Sequence, residues 1–260
     1  MLLGDLADLV LPAPCAGCAA ERVPMTYGVC AGCAARLEAL RPFRTAPSPR
    51  PPRLPPCVAV GEYEGALRGA LLAYKEKGRH RLGRPLGALL ATAVAGLVPR
   101  GGRVLLVPVP STAAATRERH GDHMVRLGGH AVRRLRSAGW DAHLTRLLQA
   151  LPRPDSASLT VAERAFAAEN SLRIRPARLG FRRHGASRTG TLVVVDDIVT
   201  TGATLAAVAG RLEEANMQVT GAAVLAATRL RRASGRGFGG MPPQGTEKRE
   251  PRGFGIPNEG

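Results

Sequence analysis

Residues 193–205 constrain the fold more than any other stretch of this 260-residue chain, and they read Val-Val-Val-Asp-Asp-Ile-Val-Thr-Thr-Gly-Ala-Thr-Leu. The apolar run at Thr191–Val195 has the length and composition of a strand that is buried on both faces. The spacing i, i+3, i+4, i+7, which is typical of an amphipathic helix, is met by Leu205, Val208, Ala209 and Leu212. A buried strand, a short Thr-Gly loop and a helix in this order predict an α/β sheet with the loop at the carboxyl end of a strand.

The same alternation extends over the rest of the chain from residue 58. Continuous apolar runs at Val104–Val109 and Val219–Ala227 predict two further buried strands. Helical patterns are present at 67–77, at 86–97 and at about 122–138. Alternating strands and helices favour a parallel sheet with helices on its faces.

The basic composition bears on the partners of the protein. Lys plus Arg total 37 and Asp plus Glu total 20, which gives a formal net charge of +17 and favours polyanions such as nucleotides, phosphosugars and nucleic acid. The N-terminal apolar stretch carries Asp5 and Asp8 and no basic segment, and the longest uncharged stretch, at about 85–99, is too short to cross a bilayer. We therefore expect a cytoplasmic protein without a membrane partner.

Cysteine and proline spacing predict four segments. The first, residues 1–40, contains four of the five cysteines, and the second, residues 41–57, is a linker. Residues 41–56 hold seven prolines, four arginines and no acidic residue, which is typical of a stiff, solvated spacer. The α/β domain follows at 58–230. Residues 231–260, with eight glycines and four prolines, are predicted to be a disordered tail.

The four N-terminal cysteines form two C-x-x-C pairs, Cys15-Ala-Gly-Cys18 and, after eleven residues, Cys30-Ala-Gly-Cys33. Two such pairs present four thiolates to a tetrahedral ion, and Zn²⁺ suits this donor set. Metal binding would also fold a segment that is too short to have a core of its own. Disulfides and an iron–sulfur cluster are the alternatives, and a reducing cytoplasm disfavours disulfides. We predict structural zinc at these four positions and a buried apolar role for Cys57.

The loop in 193–205 also indicates a ligand. The free amides at a helix N-terminus attract anions, and Gly202 allows a phosphate to approach the backbone closely. Asp196 and Asp197, just before it, suit sugar hydroxyls and a hard divalent cation. The site therefore matches a ligand with a phosphate at one end and a vicinal diol at the other, which describes a ribose 5-phosphate.

This run resembles the phosphoribosyl pyrophosphate motif of the type I phosphoribosyltransferases. The resemblance implies that Asp196 and Asp197 contact the ribose hydroxyls together with Mg²⁺. It implies that the 5-phosphate is bound by Thr200, Thr201, Gly202, Ala203 and Thr204. The implied fold class is α/β, with a type I phosphoribosyltransferase-like parallel sheet flanked by helices and preceded by a small zinc-ribbon unit.

The layout from about Leu9 to Arg229 resembles the ComF family of competence-protein relatives. The similarity is carried by the cysteine pairs, Tyr74–Gly78, Val107–Ser111 and Arg117–Gly121. It implies that the pyrophosphate side of the site contains Pro110, Ser111, Arg117 and Arg119, and that Lys75 belongs to the hood over the ligand. The chain departs from the family at 120–124, where His-Gly-Asp-His-Met stands in place of Arg-Gly-Phe-Asn-Gln.

Two classes of function remain open from the sequence. In the first, the protein is an enzyme that binds phosphoribosyl pyrophosphate with Mg²⁺ and transfers phosphoribose to a nitrogenous acceptor. In the second, it is a non-catalytic ligand sensor or an accessory protein of DNA uptake or recombination, and its ribbon and basic surface contact single-stranded DNA or a protein partner. The low aromatic content, 3%, disfavours extensive base stacking. Relatives of the fold often pair, so a homodimer is a further hypothesis.

Overall fold

A computed structural model describes residues 13–119, 121–151, 171–175 and 190–228. From residue 57 onward the described residues form both strands and helices, as the sequence predicts. The strands are β1 (Met25–Thr26), β2 (Val29–Cys30), β3 (Phe43–Thr45), β4 (Cys57–Glu62), β5 (Arg103–Pro108), β6 (Asp141–Leu144), β7 (Leu148–Ala150), β8 (Leu172–Ile174), β9 (Thr191–Val199) and β10 (Val219–Ala227). The α-helices are α1 (Ala31–Glu38), α2 (Gly65–Glu76), α3 (Gly83–Leu97), α4 (Ala113–Glu118), α5 (His123–Ser137) and α6 (Ala203–Glu213).

The main sheet has six strands in the order β3-β4-β10-β9-β5-β6. Every neighbouring pair is parallel except β3 and β4, which are antiparallel. The predicted parallel sheet with flanking helices is therefore confirmed. Strand β9 is longer than the apolar run that predicts it, because its pairing with β10 continues through Asp196, Ile198 and Val199. The two carboxylates consequently lie on the last part of a paired strand rather than in a loop.

The core is divided between the two faces of this sheet. Val193 and Val195 of β9 pack on the face covered by α2, α3 and α5, whereas Leu192 and Val194 pack on the face covered by α6. Successive side chains of a strand point to opposite faces, so an uninterrupted apolar run is needed where both faces are covered. Burial on both faces fixes the register of β9 and hence the position of the residues that follow the run.

The segment at 41–56 differs from the predicted solvated spacer. Strand β3 pairs with β4 and adds a sixth strand to the sheet edge. Leu54 is buried, and the guanidinium of Arg53 donates hydrogen bonds to the carbonyl of Gly210 and to Glu214, both over 3.0 Å. An unpaired edge strand offers free N–H and C=O groups, and the Phe-Arg-Thr stretch of β3 is free of proline, so it can pair there.

The boundaries predicted for the four segments stay a prediction. Part of the spacer packs on the domain, because β3 pairs with β4 and Arg53 donates a hydrogen bond to Gly210, whereas most of its other residues are exposed. The predicted tail at 231–260 lies outside the described residues.

The expectation that no segment crosses a membrane rests on the short uncharged stretches of the sequence. Helices α3 and α5 have 15 residues each, whereas a transmembrane helix needs about 20 apolar residues. Within the described ranges, no helix is both long enough and apolar enough to cross a bilayer.

Candidate functional site

A cavity of about 440 Å³ lies where β5 and β9 end. The carboxyl ends of parallel strands are where open α/β sheets usually bind ligands. The predicted site residues that line this cavity are Lys75, Pro110, Ser111, Arg119, Asp196, Asp197 and Thr200. Residues separated by more than 100 positions in the sequence are thus brought to one place by the order of the strands.

The loop after β9 turns into α6 at Gly202. Gly202 adopts φ +74° and ψ −1°, in the left-handed region, and α6 begins at the next residue. A Cβ at this position would lie 3.0 Å from Cγ of Pro47 and 3.2 Å from Cδ1 of Leu54. Both the backbone angle and the lack of space therefore require glycine here.

The other predicted phosphate-binding residues lie around this glycine. Thr200 lines the cavity, and Thr201 follows it on the exposed side of the loop. Ala203 and Thr204 form the first turn of α6, where backbone N–H groups lack partners within the helix. The backbone N–H of Ala203 lies 3.4 Å from the hydroxyl of Thr201. The first turn of α6 carries no acidic residue, so nothing there opposes an anion.

The two adjacent carboxylates have different surroundings. Asp197 is buried, with 5% of its surface exposed, and its Oδ2 atom lies 2.7 Å from Nζ of Lys75 and 3.4 Å from Nε2 of His123. Neither contact has good hydrogen-bond geometry, so Oδ2 remains a buried acceptor. Asp196 is partly exposed, and its Oδ1 accepts a hydrogen bond of 2.9 Å from the backbone N–H of Asp197.

Because the two carboxylates lie close together, their pKa values differ. Burial and the neighbouring charge of Asp197 raise the pKa of Asp196 to about 8. Burial also acts to raise the pKa of Asp197, but His123 and Lys75 outweigh it and lower that pKa to about 2. The protein thus balances the charge of Asp197 with its own cationic side chain. An added cation or hydroxyl donors would therefore stabilise the charged form of Asp196 more than that of Asp197.

The loop after β5 forms the opposite wall. Pro110 and Ser111 line the cavity directly after the strand, and Arg119 reaches it from the end of α4. Arg117 is exposed and is not among the lining residues. Two residues on a helix differ by about 200° in direction, so positions 117 and 119 point to nearly opposite sides of the chain. Of the two arginines, the structure therefore brings Arg119 to the cavity.

Five further lining residues are not among the predicted site residues, namely Tyr63, Val109, His123, Met124 and Ile198. His123 has the clearest chemistry, because its ring is buried and faces Asp197. It is the first residue of α5, directly after the N-cap Asp122. The sequence does predict a helix start at about 122, and a histidine at a helix start near a strand end is the signal that could have found it.

The four N-terminal cysteines converge as their spacing predicts. Their sulfur atoms all lie within 4.8 Å of one another, so they are positioned to hold a metal ion. Cys15 and Cys33 are buried, whereas Cys18 is exposed. The backbone N–H of Cys30 donates to Sγ of Cys15 over 3.2 Å, as is common around bound thiolates.

Small residues between the cysteines differ in importance. A Cβ on Gly17 would lie 2.6 Å from Sγ of Cys33, whereas a Cβ on Gly32 would meet nothing within 4 Å. The first C-x-x-C turn therefore needs its glycine for the close approach to Cys33. The second C-x-x-C pair has no such requirement at Gly32.

The thiols of the cluster are electrostatically unequal. Burial acts to raise the pKa of Cys15, but backbone N–H groups, first among them that of Cys30, lower it to about 6. Burial and the neighbouring thiols raise the pKa of Cys33 to about 12. Four thiolates so close together repel one another, and a divalent cation is the usual way to balance them.

The ribbon that carries the cysteines packs directly on the α/β domain. Cys15, Cys33 and Leu37 belong to the same core as Leu67 and Leu71 of α2. The α2 helix approaches the first C-x-x-C turn so closely that a side chain at position 69 would clash with the backbone. The ribbon and α2 therefore share one apolar core.

Comparison with known proteins identifies one region of similarity. Residues 153–238 match the family model of the phosphoribosyl transferase domain. This range contains β9 with both carboxylates, the Thr-Gly loop, α6 and β10. No match was found among curated proteins. The narrower resemblance to the ComF family stays a prediction. Residues 153–238 are thus similar to a phosphoribosyl transferase domain, and the chain combines this similarity with a parallel sheet flanked by helices and with four clustered cysteines.

Proposed function

We propose that the protein binds phosphoribosyl pyrophosphate, or a related ribose 5-phosphate, with Mg²⁺ in the cavity between the ends of β5 and β9. One observation carries the proposal: the carboxylate pair and Thr200, where the Gly202 loop begins, line the same cavity as Ser111 and Arg119. Carboxylates suit the vicinal diol, the start of α6 suits the 5-phosphate, and a guanidinium suits a diphosphate.

The donor set also fits Mg²⁺. This ion prefers carboxylate oxygens combined with phosphate oxygens of a ligand. Asp196 and Asp197 are the residues that would hold it, and Oδ2 of Asp197 is a buried acceptor without a hydrogen bond. When bound, the ion would neutralise charge on the diphosphate.

For an enzyme, the reaction would be a glycosyl transfer. The bond between C1 of the ribose and the diphosphate oxygen breaks, a nitrogen of the acceptor bonds to C1 from the opposite face, and the nitrogen proton goes to solvent. Positive charge that develops on the sugar ring is stabilised by Asp196 and Asp197, and Arg119 stabilises the departing diphosphate. Lys75 and His123 hold Asp197 in place. Positioning and electrostatics supply the catalysis.

Isothermal titration calorimetry on the full chain tests the binding proposal. Wild type is titrated with phosphoribosyl pyrophosphate in Mg²⁺ buffer, beside the double variant Asp196→Asn/Asp197→Asn. Asp141→Asn is the matched control, because Asp141 is an exposed aspartate paired with Arg103. We expect binding by wild type and by the control and none by the double variant. Wild type that gives no heat of binding, with folding verified, would contradict the proposal.

Pyrophosphate release tests whether transfer follows binding. Purines, pyrimidines, orotate and nicotinate-type acids are offered as acceptors, and the released pyrophosphate is measured. Release that depends on an acceptor and disappears in Asp197→Asn supports the enzyme. A protein that binds the ligand but releases nothing with any acceptor fits the ligand-sensing alternative instead.

For the cysteine cluster we propose structural Zn²⁺. A set of four thiolates suits this ion, and a ribbon that shares its core with α2 has a structural reason to be kept folded. Elemental analysis of purified protein is expected to give about one zinc per chain. Folded protein free of metal would contradict the proposal.

A second candidate function, binding of nucleic acid, is favoured by one surface. Residues 80–97 and 123–138, which include the packed helices α3 and α5, contain no acidic residue. Arg84, Arg133 and Arg134 are exposed on them. Burial and the charges of Arg133, Arg84 and Arg126 lower the pKa of His130, which indicates concentrated positive charge. Such a surface favours a polyanion.

The salt dependence of oligonucleotide binding tests this second function. Anisotropy of a labelled single-stranded oligonucleotide is measured over a salt series, for wild type and for Arg84→Gln/Arg133→Gln/Arg134→Gln. If each arginine meets one phosphate, the slope of log K against log salt is expected to fall by about 2. Arg103→Gln, at an exposed arginine outside this surface, is the control. Equal slopes for wild type and the triple variant would exclude this surface.

A further inference from the structure

The buried imidazole of His123 lies between the two halves of the proposed ligand site. Its Nε2 atom is 3.4 Å from Oδ2 of Asp197, near the end of β9. Its Nδ1 atom is 3.5 Å from Oγ of Ser111, in the loop after β5. The residue is 7% exposed, so both ring nitrogens face protein groups and the cavity rather than bulk solvent.

The backbone of His123 is held independently of its ring. Oδ1 of Asp122 caps α5 by accepting a hydrogen bond of 3.1 Å from the backbone N–H of Val125. The buried hydroxyl of Tyr74 donates to the carbonyl of His123, also over 3.1 Å. The next residue after Tyr74 is Lys75, which contacts the same carboxylate as the His123 ring. The cap and the tyrosine therefore fix the point from which the ring reaches both partners.

The contacts of the His123 ring with Asp197 and Ser111 matter because the backbone pairing of β5 with β9 stops just before the site. Strands β5 and β9 pair up to Pro108 and Val195, and the last backbone contact is from the N–H of Val109 to the carbonyl of Val195, at 3.0 Å. Beyond that point the Ser111 loop and the carboxylate pair continue on separate courses. Between these two walls, the His123 ring is within reach of one polar side chain on each side.

The two walls serve different parts of a ligand. A pentose 5-phosphate needs the two carboxylates, which lie at the end of β9, and the start of α6, which comes next in the chain. A pentose 5-phosphate with a diphosphate at C1 also needs the loop after β5, where Ser111 and Arg119 line the cavity. Only the larger ligand depends on the distance between the two walls.

We propose that His123 is a positioning residue that fixes the Ser111 loop relative to Asp197 and thereby selects a pentose 5-phosphate carrying a C1 diphosphate over a pentose 5-phosphate alone. This inference rests on the proposed function, since it assigns the selectivity of the same site. The carboxylate can only accept, so Nε2 carries the hydrogen that faces Oδ2 across 3.4 Å, and Nδ1 is left to accept from the hydroxyl of Ser111.

Two isosteric variants separate the contacts of the ring. The amide of His123→Asn reaches about as far as Nδ1, whereas the amide of His123→Gln reaches about as far as Nε2. Calorimetry on the full chain compares phosphoribosyl pyrophosphate with ribose 5-phosphate, both with Mg²⁺. Each variant breaks one of the two contacts, and we expect the ratio of the two affinities to fall about tenfold in both.

Ser111→Ala supplies a second route to the same result. It removes the loop partner of the ring while leaving the buried imidazole and its helix in place. We expect the same direction of change in the affinity ratio, so the test stands even if a His123 variant fails to fold. The controls are His143→Asn and His143→Gln, at an exposed histidine paired with Asp141, which should leave the ratio unchanged.

The outcomes are distinguishable. If both affinities fall by the same factor in the His123 and Ser111 variants, the ratio is unchanged, His123 only supports the fold and this inference is overturned. If folded wild type binds neither ligand, the proposed function itself fails. A ratio that falls in the His123 and Ser111 variants and is unchanged in the His143 controls supports the inference.

Discussion

The four-cysteine cluster and the carboxylate pair are both groups of ligating side chains with like charge, and they solve the problem of repulsion differently. Backbone N–H groups meet the thiolate of Cys15, and balancing the full set of sulfurs calls for a metal ion. At the carboxylates, the charge of Asp197 is met by side chains of the protein, Lys75 and His123. We propose an external cation for the first cluster, whereas Asp197 of the second already has the ammonium group of Lys75 beside it.

The two clusters also differ in how far apart their members lie in the sequence. All four cysteines fall between positions 15 and 33. Asp197 is separated from Lys75 by 197 − 75 = 122 residues and from His123 by 197 − 123 = 74 residues. A cluster with local ligands can be read from spacing alone. A cluster assembled from three elements becomes visible only when the sheet and its helices are in place.

The largest expected effect is at the cysteine cluster. Cys33→Ala removes a buried ligand, and we expect the metal content to fall from about one equivalent to near zero, with a loss of more than about 3 kcal/mol in the free energy of unfolding. Elemental analysis and urea unfolding measure the two effects. Cys57→Ala, at the buried cysteine outside the cluster, should keep its metal. Equal metal content in the two variants would show that Cys33 is not a metal ligand and would contradict the proposed metal site.

The next effect separates the two C-x-x-C turns. Gly17→Ala places a methyl group 2.6 Å from Sγ of Cys33, and we expect a cost of about 1–3 kcal/mol together with weaker metal binding in a chelator competition. Gly32→Ala is the matched control, since its new methyl group meets open space. The prediction fails if the two variants compete equally for the metal.

The third prediction tests whether the carboxylate pair depends on its internal cation. Lys75→Met leaves the buried charge of Asp197 without its closest partner, and we expect the free energy of unfolding to fall by about 1–2 kcal/mol at neutral pH without Mg²⁺. Addition of Mg²⁺ should reduce this difference. Lys77→Met, at an exposed lysine two residues further along, is the control for the loss of charge. Similar losses in both variants would show that the contact with Asp197 adds no stability.

The smallest expected effect is a pH dependence of stability without ligand. The pKa of Asp196 is about 8 in the folded protein and near 3.8 in the unfolded chain, because burial and Asp197 oppose its ionisation. Its contribution to stability is therefore fully present below about pH 4 and is lost as the pH rises toward 8. Water screens this partly exposed carboxylate, so we expect wild type to lose about 1 kcal/mol relative to Asp196→Asn between pH 6 and pH 8. Urea unfolding at each pH measures the difference, and parallel curves would contradict the raised pKa.

Prediction from the sequence succeeded where the signal is local. The strand at Val219–Ala227 has the predicted bounds, and the helix predicted at about 122–138 runs from His123 to Ser137. Gly202 adopts a left-handed conformation, whereas its predicted role in binding phosphate stays a prediction. Arg117 was assigned to the cavity together with Arg119, and only Arg119 lines it. Motif order does not give the direction of a side chain on a short helix.

The segment at 41–56 also shows that a local sequence pattern does not predict tertiary contacts. Its composition indicates a solvated spacer, and composition carries no information about an unpaired sheet edge elsewhere in the chain. Strand β3 forms because β4 leaves such an edge, and Leu54 is buried because it lies against the Gly202 loop. Both contacts depend on residues that are distant in sequence.

The sequence by itself determined the alternation of strands and helices, the four-cysteine cluster, and the carboxylate pair before a glycine loop. Hydrophobic periodicity and short ligand spacings are properties of neighbouring residues, so they can be recognised in the sequence without knowledge of the fold. Only the tertiary structure decided that Lys75 and His123 both contact Asp197 and that Ser111 lies beside His123. It also decided that the Pro/Arg-rich segment adds a strand to the edge of the sheet. These contacts follow from the order of the strands, which brings together residues that no local pattern connects.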